Sequence, residues 1–293
     1  MTDRMRLMGV LLTGLLSLTP LLPGMASASD EELLKLLRLG MYYRFTTITS
    51  CKGSVHLVES RPVSESAVEK KDVSEKVLTV AFAGNRLRMS GKAISGGAVN
   101  YQGAFDGEKT TEVIEDSIDG GPTARITDGP TGFASGDFSV FVDPRSIGGY
   151  PLQSLGPDTD GSMSIVGREV LDGDECIILE VIGDAPGPSG GYVKGRVWVD
   201  LDKGCAVPKH FWWSVPASEG APAPIRQEVV ELKKYGDALW GPARYTRVDY
   251  KPDGTVEKKV IGTYDPEFKI NVPISEDDLK LTLPPGLASM MDE

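Results

Sequence analysis

Three consecutive segments with strand-like patterns constrain the fold of this chain more than any other feature. Residues 177–182, 193–201 and 207–215 are rich in β-branched, aliphatic and aromatic side chains, and turn sequences separate them. Such runs, bounded by Gly, Pro and Asp, are typical of β-strands. The three segments therefore predict an antiparallel meander, and the chain is expected to be mainly β.

Similar patterns lie on both sides of the meander. Further strands are predicted at residues 55–58, 77–82, 86–89, 110–114, 227–235, 244–251 and 256–264. Asp253-Gly254 is a pair favoured in tight hairpins. The charged stretch 61–76 is interpreted as a long loop, and residues 143–149 as a short helical or irregular segment that crosses the sheet.

One helix is predicted ahead of the strands. Ser29 and Glu32 form a capping-box pattern, after which apolar residues recur at helical spacing, namely Leu33, Leu34, Leu36, Leu37 and Met41. Gly40 is expected to end this helix, because glycine favours helix termination.

Residues 1–28 have the order of a cleavable signal peptide. Arg4 and Arg6 precede the apolar run 7–22, and Ala26-Ser27-Ala28 supplies the small residues of a cleavage site. A retained anchor is disfavoured, because about 20 apolar residues are needed to span a bilayer. The mature chain, 29–293, is expected to be one soluble, periplasmic or otherwise extracytoplasmic domain.

Charge and cysteine content limit the partners and the covalent chemistry. The chain has 31 Lys and Arg against 42 Asp and Glu, a net charge of −11, which disfavours nucleic acid as a partner. Three cysteines in an oxidising compartment allow one disulfide. Cys176 and Cys205 flank a predicted hairpin and are the predicted pair.

No catalytic pattern fits its structural requirement. The G-x-S-x-G string at 187–191 precedes a strand, although a nucleophile elbow needs a following helix, and His56 and His210 are the only histidines. The acidic residues from Asp158 to Glu169 lack the glycine position of a calcium loop. No catalytic residue, metal site or cofactor is predicted, and a hydrolase that uses carboxylates remains a disfavoured alternative.

Two tryptophans are candidates for a ligand-facing wall. Alternation places Trp198 on the face opposite Val197 and Val199, and pairing across the turn 202–204 is expected to bring it near His210 or Trp212. Core packing is the alternative explanation for both indoles. We expect an apolar concavity bordered by the first helix and residues 143–149, with Trp198 and Trp212 on its wall.

In order along the chain, these features resemble the periplasmic lipoprotein carriers of the LolA type and the wider group of lipoprotein-sorting-like proteins. The resemblance rests on the first helix and on residues 82–89, 105–109, 196–204, 271–274 and 281–286. It implies a single curved antiparallel sheet, an incomplete β-barrel whose concave side, covered by helices, holds acyl chains.

The resemblance also implies a function and a set of binding residues. The expected protein is a non-enzymatic, monomeric envelope protein that binds a hydrophobic ligand or lipoprotein, with an envelope protein as a further partner. Leu87, Arg88 and Met89 are the implied ligand-binding residues, together with Trp198 and Trp212, and Arg88 matches the family's strand arginine that helps to hold the lid shut. A structural or protein-interaction module without a cavity is the main alternative.

Overall fold

The computed structural model describes residues 29–62, 72–95, 100–114, 122–129, 162–186, 191–217, 220–237 and 239–281. The predicted signal peptide (1–28) and the segment 143–149 lie outside the described residues. So do most of the G-x-S-x-G string and most of the C-terminal segment 281–286.

Fourteen antiparallel strands form one sheet. The first seven are β1 (Ser50–Arg61), β2 (Asp72–Ala83), β3 (Arg86–Ser95), β4 (Tyr101–Phe105), β5 (Lys109–Ile114), β6 (Thr123–Asp128) and β7 (Ser162–Leu171). The others are β8 (Asp174–Pro186), β9 (Tyr192–Asp200), β10 (Ala206–Val215), β11 (Ala223–Tyr235), β12 (Leu239–Tyr250), β13 (Val256–Tyr264) and β14 (Lys269–Ile270). The described residues form two helices, α1 (Asp30–Thr47) and α2 (Glu276–Leu279).

The strand order is β6-β5-β4-β3-β2-β1-β13-β12-β11-β10-β9-β8-β7, and the short β14 also pairs with β1. The sheet therefore extends from β1 in both directions through consecutive hairpins. Among the described residues β6 and β7 are its two edges, so the curved sheet does not close. The predicted fold class, a mainly β incomplete barrel with an N-terminal helix, is confirmed.

The two faces of the sheet differ. We call the face that packs against α1 the core face, and the opposite one the outer face. The apolar cluster on the core face combines Leu37 and Met41 of α1 with alternate residues of the strands, among them Val55, Leu57, Leu78, Val80, Ile177, Leu179, Val197 and Val199. Since alternate strand residues point to opposite faces, their sequence neighbours belong to the outer face.

Helix α1 begins as predicted and ends later than predicted. The Ser29 hydroxyl accepts a hydrogen bond from the Glu32 amide at 3.3 Å, and the Ser29 amide donates to Glu32 Oε2 at 3.1 Å, so the capping box is confirmed. The expected stop at Gly40 is wrong, because the helix continues to Thr47. A Cβ added at Gly40 would lie 2.3 Å from Cys205 Sγ, so this glycine allows close packing instead.

Several strand limits also differ from expectation. The loop predicted at 61–76 is shorter, because β2 begins at Asp72 and its first residues pair with the end of β1. Strands β4 and β6 were not predicted: β4 has only five residues, and β6 is almost entirely exposed and lacks a buried alternation. The Asp253-Gly254 hairpin is confirmed, with Gly254 at a φ of 82°.

Gly40→Ala tests the packing of α1. Helix propensity alone favours alanine by about 1 kcal/mol, but we expect Gly40→Ala to lower the free energy of unfolding by about 1–2 kcal/mol, because its Cβ overlaps Cys205 Sγ. Denaturant unfolding measures the difference. In a Cys205→Ala background the same change is expected to become stabilising, and destabilisation of equal size in both backgrounds would contradict this account.

Candidate functional site

Aromatic rings lie over glycines on the core face of the sheet. In three places the glycine is directly opposite the aromatic residue on the neighbouring strand, and a Cβ added there would lie 2.0–2.3 Å from a ring atom: Gly91 with Tyr101, Gly195 with Trp212, and Gly262 with Tyr245. Each ring therefore packs over the glycine of the neighbouring strand and occupies the space that a side chain at that position would fill. This arrangement keeps bulky aromatic groups close to the sheet.

Partly buried apolar residues adjoin the fully buried centre of the core cluster. Those on the core face of the sheet include Leu87, Tyr101, Met163, Ile165 and Val193. With the aromatic residues over glycines, they form what we call the apolar surface. Its side chains are aliphatic and aromatic, so their removal from water is favourable.

The structure places the predicted residues 87–89 on two different faces. Leu87 pairs with Phe82, and Met89 pairs with Val80, so both lie on the core face. Arg88 pairs with Ala81 and Ala104 and lies on the outer face. The role that the resemblance implies for Arg88, at a lid over the concave side, is therefore not supported by the strand register.

Helix α2 also packs on the outer face, near these residues. Its Glu276 accepts hydrogen bonds from both terminal nitrogens of Arg86 at 2.7 and 2.9 Å, and its Asp278 pairs with Lys52. Both cations are on outer-face positions of their strands. The two described helices thus lie on opposite faces of the sheet.

The two candidate tryptophans are separated by the sheet. Trp212 pairs with Gly195 and belongs to the core cluster. Trp198 is opposite Ile178 and Lys209 on the outer face, as its alternation against Val197 and Val199 predicts. The expectation that both indoles share one wall is wrong, because the valine face of β9 is the face that packs against α1.

Outer-face partners account for the burial of Trp198. Its Nε1 donates a hydrogen bond to Glu169 Oε2 at 2.6 Å, and Lys209 Nζ lies 4.2 Å from the ring centroid. A buried indole needs a hydrogen-bond acceptor, and its ring attracts a cation. Local contacts within β7, β9 and β10 therefore satisfy this side chain.

The predicted disulfide between Cys176 and Cys205 is not formed, since both thiols are free and buried in the structure. Cys176 pairs with Asp200 on the face opposite Ile177, whereas Cys205 belongs to the core cluster and faces Gly40. The two cysteines flank the same hairpin in the sequence, but their thiols lie on opposite faces of the sheet. Burial raises the pKa of each thiol to about 11, so both stay protonated at neutral pH.

Five polar side chains lie close together at core-face positions of strands β10, β11 and β12. We call them the polar cluster: His210, Arg226, Glu228, Arg247 and Asp249. Arg226 Nε donates to Asp249 Oδ1 at 2.8 Å, and Arg247 Nε lies 2.9 Å from both Asp249 oxygens. His210 Nε2 lies 3.6 Å from Glu228 Oε1.

The arginines keep Asp249 ionised. Burial by itself raises the pKa of this carboxyl group, but hydrogen bonds from Arg247 and Arg226 outweigh that effect, so the pKa is lowered. Sequence reasoning missed the cluster and considered His210 only as a possible catalytic base and as a neighbour of Trp198. One sequence pattern could have revealed it: Glu228 and Arg247 each lie two residues from a buried core residue, Val230 and Tyr245 respectively, and so point to the same face as that residue.

Arg44 is a buried cation in the last turn of α1. The residue is 3% exposed, and one of its terminal nitrogens donates to the carbonyl oxygen of Trp240. No carboxylate among the described residues lies within ion-pairing distance of it, and its Nε has no hydrogen-bond partner. Burial lowers its pKa to about 10, so the guanidinium remains charged at neutral pH.

The described residues contain no candidate metal site and no candidate membrane-spanning helix. No three His, Cys, Asp or Glu side chains within the described ranges lie close enough together to hold a metal ion. None of the described helices is long and apolar enough to cross a membrane.

Solved proteins with the same architecture include two that are each 12% identical in sequence and that match 86% of this chain. One is a DUF1329 family protein from Desulfovibrio piger, with a TM-score of 0.51 over 98% of its own length. The other is a putative outer membrane lipoprotein-sorting protein domain from Vibrio parahaemolyticus, with a TM-score of 0.50 over 97% of its length. The chain has the lipoprotein-sorting-like fold.

The predicted resemblance to this group is thereby confirmed at the level of the fold. No family model matches the chain, and no curated protein matches its sequence. At 12% identity, these likenesses carry no residue of a site from one protein to the other.

Replacement of Arg44 tests whether its buried charge costs stability. We expect Arg44→Met to raise the free energy of unfolding by about 1–3 kcal/mol, because a buried charge without a counter-ion is replaced by an apolar side chain of similar length. Arg86→Met, which removes an exposed ion pair on the outer face, is the matched control and is expected to change stability little. A loss of stability in Arg44→Met would instead assign the dominant role to the hydrogen bond with Trp240.

Proposed function

We propose that this protein is a non-enzymatic binding protein of the cell envelope that holds the apolar chain of a lipid or a lipoprotein on its core face. The observation that carries the proposal is the apolar surface. Three aromatic rings lie over glycines there, and partly buried aliphatic side chains adjoin the packed centre.

Burial of hydrocarbon is a sufficient driving force for such a function. Each buried methylene contributes about 0.8 kcal/mol, so a chain of about ten methylenes gains roughly 8 kcal/mol before the cost of ordering it. A net gain of that size corresponds to a dissociation constant near 1 μM. Aliphatic and aromatic side chains alone provide this energy, and no catalytic group is required.

The fold and the sequence support the same ligand class and location. The Vibrio protein with this fold is named as a putative outer membrane lipoprotein-sorting protein domain, and the lipid part of a lipoprotein consists of acyl chains. The signal-peptide pattern of residues 1–28 favours export to the compartment in which such cargo is handled.

A structural or protein-interaction module is the second candidate function. The observation in its favour is the fully buried centre of the core face, where Leu37, Met41, Val55 and Leu179 are wholly inaccessible to solvent. A core filled in this way stabilises the sheet whether or not a ligand binds beside it. Ligand binding therefore has to be measured directly.

Tryptophan fluorescence distinguishes the two faces as well as the two functions. We expect a saturable change when dodecanoyl-chain amphiphiles are added, because Trp212 lies on the core face within the apolar surface. Trp212→Phe should remove most of this change, whereas Trp198→Phe, on the outer face, should retain it. Both variants keep an aromatic ring, which limits the loss of packing.

The competing outcomes are distinct. If Trp198→Phe loses the change and Trp212→Phe keeps it, the ligand binds the outer face and the proposed site is wrong. If the wild-type protein gives no saturable change, and native mass spectrometry detects no bound amphiphile, the structural-module alternative replaces the proposal. Turnover of a dodecanoyl ester into acid and alcohol by the wild-type protein would contradict the non-enzymatic assignment.

A further inference from the structure

The polar cluster contains two buried groups that an apolar chain alone does not satisfy. His210 and Glu228 are 3% and 2% exposed. Their facing atoms, Nε2 and Oε1, are 3.6 Å apart, which is too long for a hydrogen bond. Neither atom has a hydrogen-bond partner within the part of the chain that the structure describes. Buried polar atoms are normally paired, so this pair needs an explanation.

The neighbouring arginines do not provide the missing donor. Arg226 Nε donates to Asp249 and remains 3.9 Å from Glu228 Oε1, and Arg247 Nε also donates to Asp249. Glu228 Oε1 therefore remains an acceptor without a donor, although two guanidinium groups lie nearby. Because two guanidinium groups balance two carboxylates, the cluster carries no net charge when His210 is neutral, and it offers little attraction to an ionic head group.

The distance between the two atoms fits one bridging oxygen. His210 Nε2 and Glu228 Oε1 are 3.6 Å apart, so a third atom to one side of the line that joins them can lie about 2.8 Å from both. That separation is a normal hydrogen-bond distance. A hydroxyl oxygen in that position would donate its proton to Glu228 Oε1 and accept a hydrogen bond from His210 Nε2–H. An ether oxygen could accept but could not donate, and a carboxylate would meet the like charge of Glu228.

The cluster also adjoins the apolar surface. The ring of His210 lies 6.1 Å from that of Trp212, centroid to centroid, and Trp212 covers Gly195 on the same face. A chain lying over Trp212 would therefore present its polar end to His210 and Glu228. The apolar surface at Trp212 would therefore contact the hydrocarbon chain, and the adjacent His210 and Glu228 would contact the polar end.

We propose that His210 and Glu228 bind the hydroxyl group of a neutral amphiphile, such as a fatty alcohol or a monoacylglycerol, whose chain occupies the apolar surface. This inference rests on the proposed function and specifies the ligand's polar end. Glu228 is its acceptor and His210 its donor, while Arg226, which Asp249 holds by a hydrogen bond, lies 3.9 Å from Glu228 and compensates its charge.

Titration calorimetry with matched probes tests the inference. The probes are 1-dodecanol, dodecyl methyl ether and dodecanoate, which share one chain length and differ at the polar end. We expect the wild-type protein to bind dodecanol at least about tenfold more tightly than either other probe, because a buried hydrogen bond to a charged acceptor is lost with them. Glu228→Met should abolish this preference while binding of the ether is retained.

Two further variants keep the test decisive. Glu228→Gln preserves shape and a weaker acceptor, so an intermediate preference is expected even if Glu228→Met folds poorly. Glu180→Met removes a carboxylate that pairs with Lys194 on the outer face, and its probe preference should equal that of the wild type. A preference that survives intact in Glu228→Met and Glu228→Gln would overturn the assignment of Glu228.

The outcomes separate this inference from the proposed function. Equal, saturable binding of dodecanol and its methyl ether by the wild-type protein would overturn the hydroxyl site and leave apolar-chain binding standing. Tighter binding of dodecanoate than of dodecanol would also overturn it, because the cluster would then select an anion. Binding of none of the probes would overturn both.

Discussion

The pairing of β1 with β2 on one side and β13 on the other is the contact on which the rest of the structure depends. It joins the hairpins before β7 to those after it in one sheet, across about 200 residues of sequence. Asn271 fixes the same junction to α1: its side chain donates to Thr47 O and accepts from the Thr49 amide, and its own amide donates to Ser50 O. The position of α1 over the core face follows from this junction.

Once α1 covers one face, the two faces take on different chemistry. On the outer face, Trp198 is held by Glu169 and Lys209, and α2 is held by ion pairs, so its large groups are satisfied within the chain. On the core face, the aromatic rings lie over glycines close to the sheet, and the polar cluster brings buried charge next to the apolar surface. The proposed binding site therefore lies on the core face, next to the packed centre that stabilises the sheet.

Local patterns predicted much of the fold. Ser29 with Glu32 set the start of α1, Asp253-Gly254 set a hairpin, and residues 193–199 alternate as a strand, because each of these features depends on contacts between near neighbours. The prediction that Gly40 ends the helix was wrong, because this position requires glycine for close packing against Cys205, which is distant in sequence. The polar cluster was missed for a similar reason, since three separate strands contribute its residues.

The sequence by itself determined that the chain is mainly β, that one helix precedes the strands, and that Trp198 lies opposite Val197 and Val199. Only the tertiary structure decided which of those two faces is the core face, and so placed Trp212 with the apolar surface and Trp198 away from it. It likewise separated Cys176 from Cys205 and brought His210 to Glu228. The physical reason is that alternation fixes only the relative direction of neighbouring side chains, whereas burial depends on long-range strand register and on where α1 packs.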